Sequence, residues 1–184
     1  MTTADDSVRT AAADDAAAVG RVQALVWQEA YDGIVPPEVH AAFDPRAFEA
    51  AWRDSLRTPP EGVHRLLVSC AGDAVIGFAA IGPSQDPDAG QTTGEITALG
   101  VHPGHRRQGH GSRLVNAAVD ILREAGAEHV AVWCLVEHEP LRSFLTGAGL
   151  APDGAYRDRV VSPDGATARE VRLTAAVTQP PSTP

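Results

Sequence analysis

The sequence predicts an α/β protein in three layers, a mixed central sheet of about seven strands with helices on both faces. Three observations carry that expectation. Leu114, Ala118, Ile121 and Ala125 recur at helical spacing, with Val115 and Leu122 beside them, so residues 111–125 read as a helix with one apolar stripe. Val130 to Val136 is uninterrupted and apolar, the pattern of a strand covered on both faces. Between these and the N-terminus the period changes to short apolar runs separated by turn residues, the pattern of hairpins.

Taken in order, Val8 to Ala11 reads as a short first strand. Asp14 or Asp15 then caps a helix whose apolar positions are Ala18, Val22, Leu25, Val26 and Ala30. Pro36-Pro37 interrupts the pattern, and a second helix starts at Asp44-Pro45, an N-cap residue followed by proline at the first helical position. Arg65 to Cys70 and Ala74 to Ile81 form a hairpin across Ala71-Gly72-Asp73. Gly82 to Thr93 is a loop rich in Pro, Asp and Gly, and Gly94 to Val101 is the fourth strand. Beyond the 111–125 helix and the 130–136 strand, a short helix runs from Pro140 to Ala148 and ends at Gly149. A last hairpin pairs Ala155 to Val161 with Ala168 to Thr174. One domain is expected over residues 1–177, and 178–184 reads as a disordered tail.

Composition narrows the function. The chain has 184 residues and a formal net charge of −9, which argues against a nucleic-acid partner, since phosphate-binding surfaces need a basic excess. An acidic exterior attracts cations, and amines are the commonest cationic metabolites. All 15 basic residues are arginine, and without lysine neither a Walker-type phosphate loop nor Schiff-base chemistry is available. No apolar run reaches the roughly 20 residues of a membrane span, and the acidic start Met1 to Asp6 lacks a signal-peptide core. Cys70 and Cys134 are too few for a disulfide framework. A soluble, cytoplasmic protein with no membrane partner is expected.

The informative segment is Gly94 to Arg113: a strand, a basic turn and a helix start. Arg106-Arg107-Gln108-Gly109-His110-Gly111 stands just before the helix. Unpaired N–H groups at a helix N-terminus, with glycines permitting close approach, make a cradle for a pyrophosphate, and the two arginines add positive charge. The alternative is a surface loop whose glycines only permit a turn. A dinucleotide fingerprint fits poorly, because its third glycine falls on Leu114 and several residues separate the strand from Gly109.

Arg106 to Gly111 resembles the Arg/Gln-x-x-Gly-x-Gly/Ala signature of the GNAT superfamily of acyl-CoA N-acyltransferases. The similarity extends to Trp27 through Pro36, which resembles the first-helix segment of one bacterial branch. It continues through Gly94-Glu95-Ile96, Val101-His102-Pro103, Trp133, Gly149, Pro152 to Ala155, and Glu170-Val171-Arg172. The resemblance implies a sheet splayed between its fourth and fifth strands, with acetyl-CoA as acyl donor and no metal. Leu99 and Val101 would contact the pantetheine arm, and the amides of Gln108, Gly109, His110, Gly111 and Ser112 would hold the pyrophosphate. A backbone N–H near Leu99 or Gly100 would polarise the thioester carbonyl. A primary amine of a small molecule or peptide would then attack directly, with Glu95 as general base acting through water.

The family's proton donor is where this chain departs from the pattern. Relatives commonly carry asparagine and then a Phe-Tyr pair; here the corresponding residues are His138, Phe144 and Leu145. A tyrosine often found on the fourth strand is replaced by Gly100. Either His138 or a water substitutes, or protonation of the leaving group is dispensable, or activity is reduced. A GNAT-fold protein that binds acyl-CoA with weak or no transfer is therefore the alternative to an enzyme. Trp27 and Tyr31, one helical turn apart, line an acceptor pocket or pack in the core. His102, His105 and His110 read as surface histidines, and Cys134 as a buried inert thiol. The family often forms dimers, so a homodimer is compatible with the sequence.

Overall fold

Side chains alternate across a strand, so the strands in the middle of a sheet can feed a core on each of its faces. The computed structural model describes residues 6–177; the tail expected at 178–184 lies outside the described residues. Its strands are β1 (Asp6–Thr10), β2 (Arg65–Ala71), β3 (Ala74–Pro83), β4 (Thr93–Val101), β5 (His129–Leu135), β6 (Ala151–Val160) and β7 (Thr167–Ala176). Among the described residues all seven belong to one sheet, ordered β1-β2-β3-β4-β5-β7-β6. Neighbours are antiparallel except β4 and β5, which are parallel and paired only from Thr93–Ile96 to His129–Val132. Beyond Ile96 and Val132 the two strands part, which is the expected splay.

The helices are α1 (Ala16–Ala30), α2 (Pro37–Ala41), α3 (Pro45–Arg57), α4 (His110–Glu124) and α5 (Glu139–Gly147). On one face, α1 and α3 cover Leu66, Val68, Cys70, Phe78 and Ala80. On the other, α4 and α5 supply Leu114, Ala118, Leu122 and Leu145 to a core with Leu67, Ile81, Ile96 and Val132. Gly20 lets α1 and α3 touch through their backbones, because a Cβ there would lie 2.6 Å from the Pro45 carbonyl oxygen.

Local chemistry accounts for several element ends. Asp44 caps α3, its carboxylate accepting from the N–H groups of Arg46 (2.9 Å) and Ala47 (3.1 Å). The expected aspartate cap on α1 differs: Asp15 accepts from Ala12 N–H and pairs with Arg9, while a 3₁₀ turn over Ala13–Asp15 leads into the helix. Pro37 starts α2 rather than only breaking a helix, since its missing N–H is harmless at a first position. The strand expected from Ala155 begins at Ala151, with a bulge between Pro152 and Tyr156. An edge strand tolerates that proline because one of its sides needs no donor.

A second bulge matters for the site. Ala80 pairs with Ala98 and Ile81 with Ile96, which leaves Thr97 as the extra residue in β4. Ile96 and Leu99 both join the α4–α5 core, whereas Ala98 packs on the α1–α3 side.

Candidate active site

The splay opens a cleft of about 410 Å³ between the end of β4 and α5. His102 N–H bonds to the Ile76 carbonyl of β3 (2.8 Å), so by alternation the backbone groups of Leu99 and Val101 point the other way, into the cleft. The N–H of Gly100 turns toward β3, so of Leu99 and Gly100 it is Leu99 whose N–H faces the cleft. The Val101 carbonyl is partly engaged, accepting from Arg106 Nε at 3.2 Å.

At one end of the cleft stands the N-terminus of α4. Gly109 is its N-cap, left-handed at φ 85°, and no side chain caps the first turn. Gly111 lies against the Phe144 ring, where a Cβ would come within 3.1 Å and the ring would have to shift by a few tenths of an ångström. Arg107, exposed and also left-handed at φ 63°, lines the cleft with Ser112. First-turn N–H groups, small residues and a cation suit a pyrophosphate.

The structure thus brings together Leu99, Gly100, Val101, Arg106, Arg107, Gly109, Gly111, Ser112 and His138. Two arginine expectations separate. Arg106 is held by Glu29 of α1 through two contacts, 2.7 and 2.8 Å, so much of its charge is already matched. Gln108 is exposed outside the lining. His110 is a correction to the surface-histidine reading: it is 1% exposed, its Nδ1 3.0 Å from Ser69 Oγ. Only its backbone is available to a ligand. His138 does line the cleft, and burial with the nearby Arg106 charge lowers its pKa.

The missing tyrosines have structural counterparts. Leu145 is fully buried in the α4–α5 core. A Cβ at Gly100 would lie 2.8 Å from the Phe78 ring, which fills that space together with Val26.

Glu95 lies outside the cleft lining. It is 9% exposed and accepts a hydrogen bond from Ser84 Oγ at 3.1 Å. Burial raises its pKa, the Ser84 bond lowers it, and the charges of Asp86 and Glu170 raise it further against Arg157. Trp27 packs on Phe78 and Phe48 at 6.0 and 6.5 Å between ring centroids, in the α1–α3 core. Tyr31 lies tilted against Phe43 at 5.4 Å between ring centroids, and burial, with the Glu170 charge, raises its pKa against Arg159 and Arg157. Phe43 stacks on Phe48, which also meets Trp27, so the two aromatics belong to one continuous aromatic cluster.

A polar network on the β5–β7–β6 half of the sheet was not legible as part of the site. Trp133 Nε1 donates to Asp86 (2.8 Å), and the Arg157 guanidinium lies 4.3 Å over its ring. Arg157 and Arg159 both pair with buried Glu170, and Arg172 binds Asp86, Asp88 and Asp153. No alternating signal for it stands in the sequence, since charge falls on consecutive residues, Arg157-Asp158-Arg159 and Arg169-Glu170. Strand alternation sends Asp158 and Arg169 to pair with each other, apart from Arg157, Arg159 and Glu170.

A family model described as the acetyltransferase (GNAT) family matches residues 14–149. The chain belongs to this family. A mycothiol acetyltransferase of Thermomonospora curvata is 30% identical over 138 residues, covering 70% of this chain and 42% of that protein. One of Corynebacterium glutamicum is 32% identical over 137 residues, covering 71% and 41%. The chain thus spans about two fifths of the length of these curated relatives. Among solved structures, the PaiA N-acetyltransferase of Thermoplasma acidophilum in complex with coenzyme A superposes with a TM-score of 0.73 at 16% identity, over 94% of this chain and 99% of that one. The ribosomal-protein-alanine N-acetyltransferase of Brucella melitensis gives 0.68 at 15%, over 92% and 99%. These likenesses establish the GNAT fold, including the parallel β4–β5 pair and its splay.

Proposed function

We propose that this GNAT-family chain transfers an acetyl group from acetyl-CoA to a primary amine of a small molecule or peptide, by direct attack in a ternary complex. The observation that carries this reading is the cleft at the splay, with the β4 backbone at one side and the uncapped α4 N-terminus at its end. Backbone groups of Leu99 and Val101 would hold the pantetheine, and the amides from Gln108 to Ser112, with Arg107, the pyrophosphate. Bound acetyl-CoA supplies an activated thioester. Leu99 N–H would polarise its carbonyl.

Glu95 is the proposed base, relayed to the amine through water. Its raised pKa brings it closer to that of the ammonium it must deprotonate, and it stays ionised above that value. His138, its pKa lowered, is neutral at pH 7 and serves as a proton acceptor or a weak donor at the cleft wall. The curated relatives are named for mycothiol, which puts mycothiol chemistry first in an acceptor screen.

The proposal includes one domain over residues 1–177, a cytoplasmic location and a homodimer. Two free, buried cysteines support a reducing compartment. Exposed Tyr156 and Val160 on edge strand β6 support self-association. A second reading, an acyl-CoA-binding protein with weak or no transfer, is favoured by the burial of Leu145 and the closed space at Gly100.

Calorimetric titration of the intact chain with acetyl-CoA and free CoA tests the assignment. Binding in the micromolar range, with turnover on an amine panel, supports the enzyme; binding without turnover supports the second reading. No binding by folded protein overturns both.

A further inference from the structure

We infer that Arg172 is a positioning residue: it straps the β3–β4 loop, residues 84–92, onto the sheet and so keeps Ser84 against Glu95. The inference rests on the reading of Glu95 as the base, and its contacts are drawn from four separate segments.

Arg172 projects from β7 and is 9% exposed. Its Nε donates to Asp153 at 2.7 Å, which ties it to β6. Its two terminal nitrogens reach the loop: Nη1 to Asp86 (3.2 Å) and Asp88 (2.9 Å), and Nη2 to Asp88 (2.8 Å). Trp133 Nε1 adds a second hold on the same Asp86 oxygen. A guanidinium can serve three carboxylates because its donors fan out in one plane; an ammonium cannot reach all three together.

The consequence is local to Glu95. Asp86 N–H donates to Ser84 Oγ (3.4 Å), and Ser84 in turn donates to Glu95 Oε2. The chain of contacts therefore runs from Arg172 through Asp86 and Ser84 to the carboxylate. The groups facing Glu95 are Ser84 and Asp86 from the loop, Arg157 from β6 and Glu170 from β7. Arg157 and Glu170 pair with each other, so the loop is the component whose removal would change the surroundings of Glu95 most.

Two effects on Glu95 then have opposite signs. The Ser84 hydroxyl stabilises the charged form, so Ser84→Ala raises the Glu95 pKa. Releasing the loop also gives up the Ser84 bond, which alone would raise the pKa, but it admits water and removes the Asp86 charge. Because burial is the largest cause of the raised pKa, Arg172→Lys lowers it on balance toward the ordinary carboxylate value.

The test uses the intact chain and needs no acceptor. Carboxyl ¹³C NMR titration follows Glu95, its resonance assigned by its absence in Glu95→Gln, while hydrogen exchange follows the amides of residues 84–92. Arg172→Lys is expected to lower the Glu95 pKa and to speed exchange in the loop roughly tenfold, with exchange in β2 and β3 unchanged. Asp88→Asn, at the exposed end of the strap, is expected to move both readouts the same way by less, and it keeps the test open if Arg172→Lys fails to fold. Unchanged exchange and an unchanged Glu95 titration in a folded variant overturn the inference. Full acetyl transfer by Glu95→Gln instead removes the base reading and leaves the strap standing.

Discussion

The two sides of the splay are built from different materials. The proposed cofactor side uses backbone: Leu99 and Val101 turned into the cleft by strand alternation, and the first turn of α4 opened by Gly109. The proposed acceptor side uses side chains brought from distant segments, with Glu95, Asp86, Trp133, Arg157, Glu170 and Arg172 converging on one face. A backbone site needs only a short continuous motif to specify it. A side-chain site depends on register, which one residue of slip would invert.

The largest expected effect separates the two sides. Glu95→Gln should lower kcat/KM by roughly 10²- to 10⁴-fold while acetyl-CoA affinity, read by calorimetry, stays as in the parent. With the intact residue, kcat/KM should rise with pH through a value above the ordinary carboxylate range, because the protonated form cannot accept the amine's proton. A pH profile that rises only at the ordinary carboxylate pKa would count against a buried base.

Next comes the cofactor side. Gly109→Asp forces a side chain into a left-handed position and puts a negative charge at the proposed anion cradle, so CoA affinity should fall by on the order of 100-fold. A smaller, structural effect is expected from restoring the family's tyrosine. Leu145→Tyr overfills a fully buried position and should cost about 1–3 kcal/mol in denaturant unfolding, without raising kcat. A gain in kcat would mean that the hydroxyl reaches the cleft despite that burial.

The smallest effect concerns Arg106. Its partner Glu29 is half exposed, so the pair contributes little to stability. Glu29→Gln keeps the side-chain volume but removes the opposing charge. CoA should then bind about two- to fivefold more tightly at low ionic strength, an advantage lost at high salt. No difference at any salt concentration would mean that Arg106 stays turned away from the ligand.

Much of the fold was legible because its causes are local. Period-two and period-3.6 patterning, Asp44-Pro45 and the Gly126 stop place strands and helix ends from a few neighbouring residues. The Arg106–Gly111 turn is legible for the same reason. Trp27 and Tyr31 show the limit of such reasoning: Trp27 packs on Phe78 inside the α1–α3 core, whereas Tyr31 caps the end of α1 and lies against Phe43.

Hydrophobic periodicity, capping chemistry and the glycine turn determine an α/β chain with a glycine-rich helix N-terminus after its fourth strand. They do so because each acts within about one helical turn or one hairpin. Tertiary structure alone decides that Arg106 is matched by Glu29, that His110 is buried beneath the turn, and that Arg172 gathers Asp86, Asp88 and Asp153. Those partners lie 19 to 86 positions apart in the chain. Charge pairing over such separations follows from strand order and register, which no local pattern encodes.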